Sequence, residues 1–162
     1  MTRIDKMDGY EIHHPFSKLQ AKVKREGGLS LAEIEKRMSV RMAHLTEEFL
    51  AEIPPMIETI EQMIGKLEKG DGGAEAQAEI FKQGHDLKGM GGSFDYPIMG
   101  TIGASFCELT HKTKDVSALN LPLIRVNLDL LSYVLKFRIK NESDPKAAPI
   151  IAALASATTA KR

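Results

Sequence analysis

Five histidines and one cysteine are the nucleophilic side chains of interest in this chain, and His85 has the most telling neighbours. It opens the run His85-Asp86-Leu87-Lys88-Gly89-Met90-Gly91-Gly92-Ser93-Phe94, and four glycines fall between Gly84 and Gly92. A glycine inside a helix costs roughly 1 kcal/mol relative to alanine. A stretch that keeps these glycines beside one histidine and one lysine needs an uncrowded surface there. Imidazole has an unperturbed pKa near roughly 6.5, so at neutral pH it is mostly the neutral, nucleophilic form. His85 is therefore read as a nucleophile that another protein must approach.

Helical geometry sharpens that reading. At roughly 100° per residue, Ile80, Gly84, Leu87, Gly91 and Phe94 share one narrow stripe that should face a core. His85, Lys88, Gly89 and Gly92 share a second face, turned on the order of 120° away. Phe81 joins that face one turn before His85, and Lys88 lies one turn beyond it, within side-chain reach. The glycines divide into two jobs. Gly84 and Gly91 let another helix pack closely, while Gly89 and Gly92 clear space for a visitor.

The elements that must hold this surface are helical. Residues 1–16 read as an irregular arm, and Ser17 as the cap of a short basic helix from Lys18 to Arg25, closed by Gly27-Gly28. Ser30 and Glu33 have capping-box spacing. Leu31, Ile34, Met38, Met42, Leu45 and Phe49 then recur at helical intervals. Pro54-Pro55 predicts a kink or a new start, after which Ile57, Ile60, Ile64 and Leu67 continue to Lys69. A turn at Gly70-Asp71-Gly72-Gly73 leads into the His85 helix, about Ala74 to Ser93, and Asp95-Tyr96-Pro97 breaks it. Ile98, Ile102, Phe106 and Leu109 mark a helix ending near Lys114. Leu121 to Lys140 is another, with Leu123, Val126, Leu130, Val134 and Phe137 inward. Pro145 can occupy the first turn of a last helix through Ala157. No alternating strand pattern is read anywhere. The expected fold is all-α: an antiparallel four-helix bundle over 30–141, an N-terminal arm and short helix over 1–29, and a C-terminal helix and tail over 142–162.

Bulk properties narrow the function. The chain has 162 residues, enough for one domain with additions, and 43% hydrophobic content excludes general disorder. Lysine plus arginine (22) balances aspartate plus glutamate (22), which removes the electrostatic case for nucleic acid. Cys107 stands alone and cannot form an internal disulfide. No signal peptide and no membrane span are read, so the expected location is the reducing cytoplasm.

His85-Asp86-Leu87-Lys88-Gly89, followed by Gly91-Gly92-Ser93 on a helix of such a bundle, resembles the histidine-containing phosphotransfer (Hpt) domains. The resemblance is closer to a bacterial subset in which the motif runs into an aromatic-Gly-aromatic-Pro turn. Here that turn reads Phe94-Asp95-Tyr96-Pro97. Phe106-Cys107-Glu108-Leu109 and Lys18-Leu19-Gln20-Ala21-Lys22-Val23 are also similar to that subset, so the resemblance spans most of the chain. Two departures stand out: Asp95 replaces the turn glycine, and Met90 occupies a position that is commonly small. Neither is expected to disable His85.

The resemblance implies a relay in two-component signalling. His85 would accept a phosphoryl group from a receiver-domain aspartate and pass it to another receiver, with Lys88 neutralising the equatorial oxygens. Phe81, Lys82, Gly89 and Gly92 would form the docking surface. Phosphoryl transfer needs alignment and charge neutralisation more than covalent machinery. The chain has no P-loop, no GxGxxG loop and no acidic metal cluster near His85, so a phosphotransfer protein is expected, not an autonomous kinase. No cofactor or metal of its own is expected; magnesium would come with the receiver. The partners would be response-regulator receivers and a (hybrid) histidine kinase, with no nucleic acid and no membrane. The alternative is a binding module that docks on a receiver or kinase as inhibitor or scaffold without taking phosphate.

Plainer readings stand beside these. A lone exposed histidine on a helix is usually only a surface residue, and a lysine like Lys88 only a solvated charge. Cys107 and His111 could pair at i, i+4, but two ligands do not make a zinc site. His13-His14 is a weak metal candidate, and His44 is placed at a core boundary. Asp95, in place of a glycine, is predicted to adopt a positive φ or to cap the helix near Pro97.

Overall fold

Leu45, Phe49, Ile53, Met56, Ile60, Ile64 and Leu67 step by four, four, three, four, four and three. Their mean spacing is close to the α-helical period, so the apolar seam stays on one face instead of wandering round the helix. In the computed structural model, which describes residues 3–14, 22, 27–111 and 115–159, this seam belongs to one helix, α1 (Leu31–Glu68). It is followed by α2 (Gly73–Ser93), α3 (Pro97–His111), α4 (Leu121–Phe137) and α5 (Ala148–Thr159), with 3₁₀ turns at Val116–Ala118 and Pro145–Ala147. The chain divides into two compact units, Met1–Val40 and Arg41–Arg162, and the division falls within α1.

In the first unit, β1 (Arg3–Met7) pairs antiparallel with β2 (Tyr10–His14), with Ile4 opposite His13 and Met7 opposite Tyr10. This corrects the irregular arm expected for residues 1–16. Ile4, Met7, Tyr10 and Ile12 are all exposed, so neither face is buried and no apolar alternation marks the strands. The signal that was present is Asp8-Gly9, a turn pair typical of hairpins, with Gly9 at φ 90°. The expected basic helix from Lys18 to Arg25 lies, apart from Lys22, outside the described residues. α1 starts as its capping box requires: Ser30 N–H and Oγ–H donate to Glu33 Oε2 at 2.9 and 2.8 Å, and Glu33 N–H returns to Ser30 Oγ at 3.3 Å. Those bonds hold the Glu33 carboxyl below its ordinary pKa, the Ser30 backbone bond contributing most.

In the second unit, one apolar cluster gathers Ile53, Ile60 and Ile64 of α1, Ile80 and Leu87 of α2, Met99, Ile102 and Phe106 of α3, Ile124, Leu131 and Val134 of α4, and Ile150 of α5. Pro54 and Pro55 do not interrupt α1. Both are exposed, so the carbonyls they deprive of partners lie on the solvent side, where water can satisfy them. α4 ends at Phe137, short of the expected Lys140, because Arg138 turns into the left-handed region at φ 54°. Its inward residues are Ile124, Asn127, Leu128, Leu131 and Val134, whereas Val126 and Phe137 are exposed. Arg125, Asp129, Ser132 and Lys136 share one narrow polar face, which leaves a wide apolar arc, and the expected inward set is centred too far round that arc. Ion pairs tie α1 to the α4 segment at both ends: Arg125 to Glu68 at 2.8 Å and Arg138 to Glu47 at 2.7 Å.

α2 and α3 meet more closely than side chains normally allow. A Cβ added at Gly84 would lie 2.6 Å from Phe106 Cβ, and one at Gly91 would lie 2.5 Å from the Gly100 nitrogen. From the other helix, a Cβ on Gly103 would come within 2.5 Å of the Lys88 nitrogen and 2.6 Å of the Gly84 oxygen. The turn joining them uses Asp95 at φ 65°, and Tyr96 N–H closes it on the Gly91 carbonyl at 2.8 Å. Asp95 thus takes the positive φ expected of it. Its carboxylate accepts from Lys140 Nζ at 2.6 Å.

Gly91→Ala and Gly103→Ala should each lower stability by about 1–3 kcal/mol, because overpacking displaces backbone. Gly89→Ala and Gly92→Ala should raise it by roughly 0.5–1 kcal/mol, because an added methyl meets nothing there. Urea unfolding followed by circular dichroism separates the two classes, and equal effects would contradict this packing. At the turn, Asp95→Val should cost about 1–2 kcal/mol, while Asp95→Gly should be close to neutral in the same assay.

Candidate functional site

α2 presents its two faces as the glycine pattern requires. Ile80, Gly84, Leu87 and Gly91 are buried, and His85, Lys88, Gly89 and Gly92 are exposed. Phe94 of the same predicted stripe is half-buried just beyond the helix end and stacks on Phe49, with centroids 4.8 Å apart. Met90 is half-buried and packs against the core cluster.

The backbone contact between α2 and α3 makes the walls of a cleft. Phe81, His85 and Lys88 line it from α2, and Ala104, Cys107, Glu108 and His111 from α3, enclosing about 440 Å³. Lys88 is placed there by its own backbone, which lies against Gly103. Its ammonium has no ion pair or hydrogen bond among the described residues, so its charge is available to an incoming anion. The cleft therefore joins a nucleophile, an available cation and an apolar floor.

Neither ring nitrogen of His85 has a hydrogen-bond partner among the described residues. Its ring contact is with Phe81, centroid to centroid 6.1 Å. Phe81 also packs against His111, at 5.4 Å. Lys82 points elsewhere on the exposed side and lies 3.6 Å from Glu79. Gly89 and Gly92 are bare: a Cβ on either would meet nothing within 4 Å. The structure thus brings His85, Lys88 and Phe81 into one cleft and leaves Gly89 and Gly92 as open surface beside it.

Sequence reasoning missed Gly100 and Gly103, although Gly100-x-x-Gly103 puts small residues on neighbouring turns facing Gly84 and Gly91. It also missed that Cys107, Glu108 and His111 wall the cleft. Among the described residues no group of three or more His, Cys, Asp or Glu could hold a metal ion. His44, expected at a core boundary, is instead exposed, with its ring 3.7 Å from Glu48. Met99 is fully buried. No described helix is long and apolar enough to cross a membrane. No protein-family model, curated protein or solved structure matches the chain.

Cys107 reports on the electrostatics of the cleft. Burial pushes its thiol pKa up, while the nearby Lys88 charge pulls the other way. Its Sγ lies 3.9 Å from the Phe81 carbonyl oxygen. The thiolate is the reactive form, so alkylation should follow a pH profile displaced above that of an ordinary thiol. Lys88→Gln removes the opposing charge and should move the profile higher still. An unshifted profile, or a downward move in the variant, would show that Lys88 does not reach the cleft.

Proposed function

We propose that this chain is a phosphorelay intermediate in two-component signalling, with His85 as the phosphoryl acceptor and donor. The observation that carries the reading is the placement in one cleft of His85 and of Lys88, unpaired among the described residues, beside glycines whose open surface leaves the histidine approachable. Its helices read as an antiparallel four-helix bundle of the phosphotransfer type, with the hairpin and α5 as additions.

The chemistry follows from the residues. A neutral His85 nitrogen attacks the phosphorus of a receiver's aspartyl phosphate in line. The phosphorus–carboxylate bond breaks, the carboxylate stays with the receiver, and the proton on the other ring nitrogen leaves to solvent. Lys88 stabilises charge on the equatorial oxygens, and magnesium belongs to the receiver's own site. Reversal onto a second receiver completes the relay. The partners are receiver domains and a (hybrid) histidine kinase, and the setting is the bacterial cytoplasm.

Docking requires two protein surfaces to meet around His85 with no side chain between. Gly89 and Gly92 form the floor of that contact, with Lys82 on its flank and Phe81 at its edge. His85→Gln should abolish acid-labile, base-stable labelling from a phosphorylated receiver and leave the fold intact. Lys88→Ala should slow transfer by a few kcal/mol of lost charge stabilisation while docking holds. Gly92→Gln should give a protein at least as stable as wild type that takes up phosphate poorly. Labelling retained by His85→Gln would refute the relay. Receiver binding without labelling of the wild type would favour a scaffold.

A further inference from the structure

A nucleophilic histidine generally has its ring fixed by a hydrogen bond from the second nitrogen to a carboxylate or carbonyl. His85 has no such bond among the described residues, yet in-line attack needs a defined ring orientation. What the ring does have is Phe81, one turn earlier on α2, at 6.1 Å between centroids and an interplanar angle of 32°. Phe81 is half-buried, and the exposed His111 ring of α3 packs against it at 5.4 Å and 31°. Cys107 of α3 lies against the Phe81 backbone and lines the same cleft. Aromatic rings at these separations attract and prefer offset or tilted geometry.

We infer that Phe81 is the positioning residue for the His85 imidazole, and that His111, reaching across from α3, is its buttress. The three rings act in series: His111 restrains Phe81, and Phe81 restrains His85. The device replaces a hydrogen-bonded orienting group by a stack, which leaves both His85 nitrogens open. For a relay that must meet two partners, an orienting group that occupies neither nitrogen is an advantage. The inference rests on the phosphorelay reading for its purpose, but the ring order it describes can be measured without any partner.

The test uses the full chain and the variants Phe81→Leu, His111→Ala and His111→Phe. The first readout is nuclear magnetic resonance of the His85 side chain in the free protein. Three-bond Hα–Hβ couplings and ring relaxation report how far the imidazole samples alternative rotamers. Wild type and His111→Phe should show one ordered ring, while Phe81→Leu and His111→Ala should show averaging. The second readout is single-turnover transfer from a phosphorylated receiver, together with the receiver's Kd. At saturating receiver, Phe81→Leu and His111→Ala should transfer on the order of tenfold more slowly, whatever the change in Kd at the docking edge, and His111→Phe should restore the rate. An equally ordered His85 ring in all four proteins would overturn the inference, as would failure of His111→Phe to restore order lost in His111→Ala. Loss confined to Kd would assign Phe81 to docking alone and also overturn it. If wild type takes no phosphate from any receiver, the relay reading fails by itself, and the resonance data still decide the ring stack.

Discussion

The contact on which this molecule turns is backbone against backbone, where α2 and α3 touch through Gly84, Gly91, Gly100 and Gly103. Helices held apart by ordinary side chains pack with axes about 8–10 Å apart. Here Gly103 lies against the Lys88 nitrogen itself, with no room for a methyl group. The closeness brings Cys107, Glu108 and His111 of α3 level with Phe81, His85 and Lys88 of α2. A cleft with the His85 and Phe81 rings on one wall and the His111 ring on the other is therefore a product of what the glycines lack.

The same residue type serves opposite ends on the two sides of one helix. Inward glycines convert missing volume into interhelical contact, and outward glycines convert it into exposed, featureless surface. Both choices sacrifice helix propensity, and the large apolar cluster of the second unit offsets the loss. The stability of α2 is thus supplied by its neighbours. It has Gly72 at its N-terminus with no side-chain cap, and no basic residue in its last turn.

Much of this could be read from residue types alone. The burial of Gly84 and Gly91, the exposure of Gly89 and Gly92 and the Ser30–Glu33 cap follow from local rules of geometry, whereas the positive φ of Asp95 was expected from the resemblance, in which glycine stands at that turn. What escaped was of two kinds. The hairpin has no buried face, so its residues carry no period-two signal and only Asp8-Gly9 betrays it. α4 has a wide apolar arc opposite one polar face, and the expected inward side of that arc centred on Leu130 and Phe137, whereas the structure buries Ile124, Leu128 and Leu131 and leaves Phe137 exposed. The α3 wall of the cleft was hidden for a third reason. Residues 81 and 111 become neighbours only once the glycine contact exists; the glycines of each helix announce a close contact, but not the register that sets His111 beside Phe81.

Tight interhelical contact is commonly entropically demanding, since it orders distant stretches of chain. Here the contacting pairs are near neighbours in sequence: Gly91 and Gly100 are separated by nine positions, Gly84 and Gly103 by nineteen. The Arg138–Glu47 pair, by contrast, spans 91 positions. Because closure entropy rises with the logarithm of loop length, the helical hairpin that carries the cleft forgoes less chain freedom than the Arg138–Glu47 link to α1. The surface around His85 is in this sense a local feature of the polypeptide, a property of about forty consecutive residues supported, but not created, by the helices that surround them.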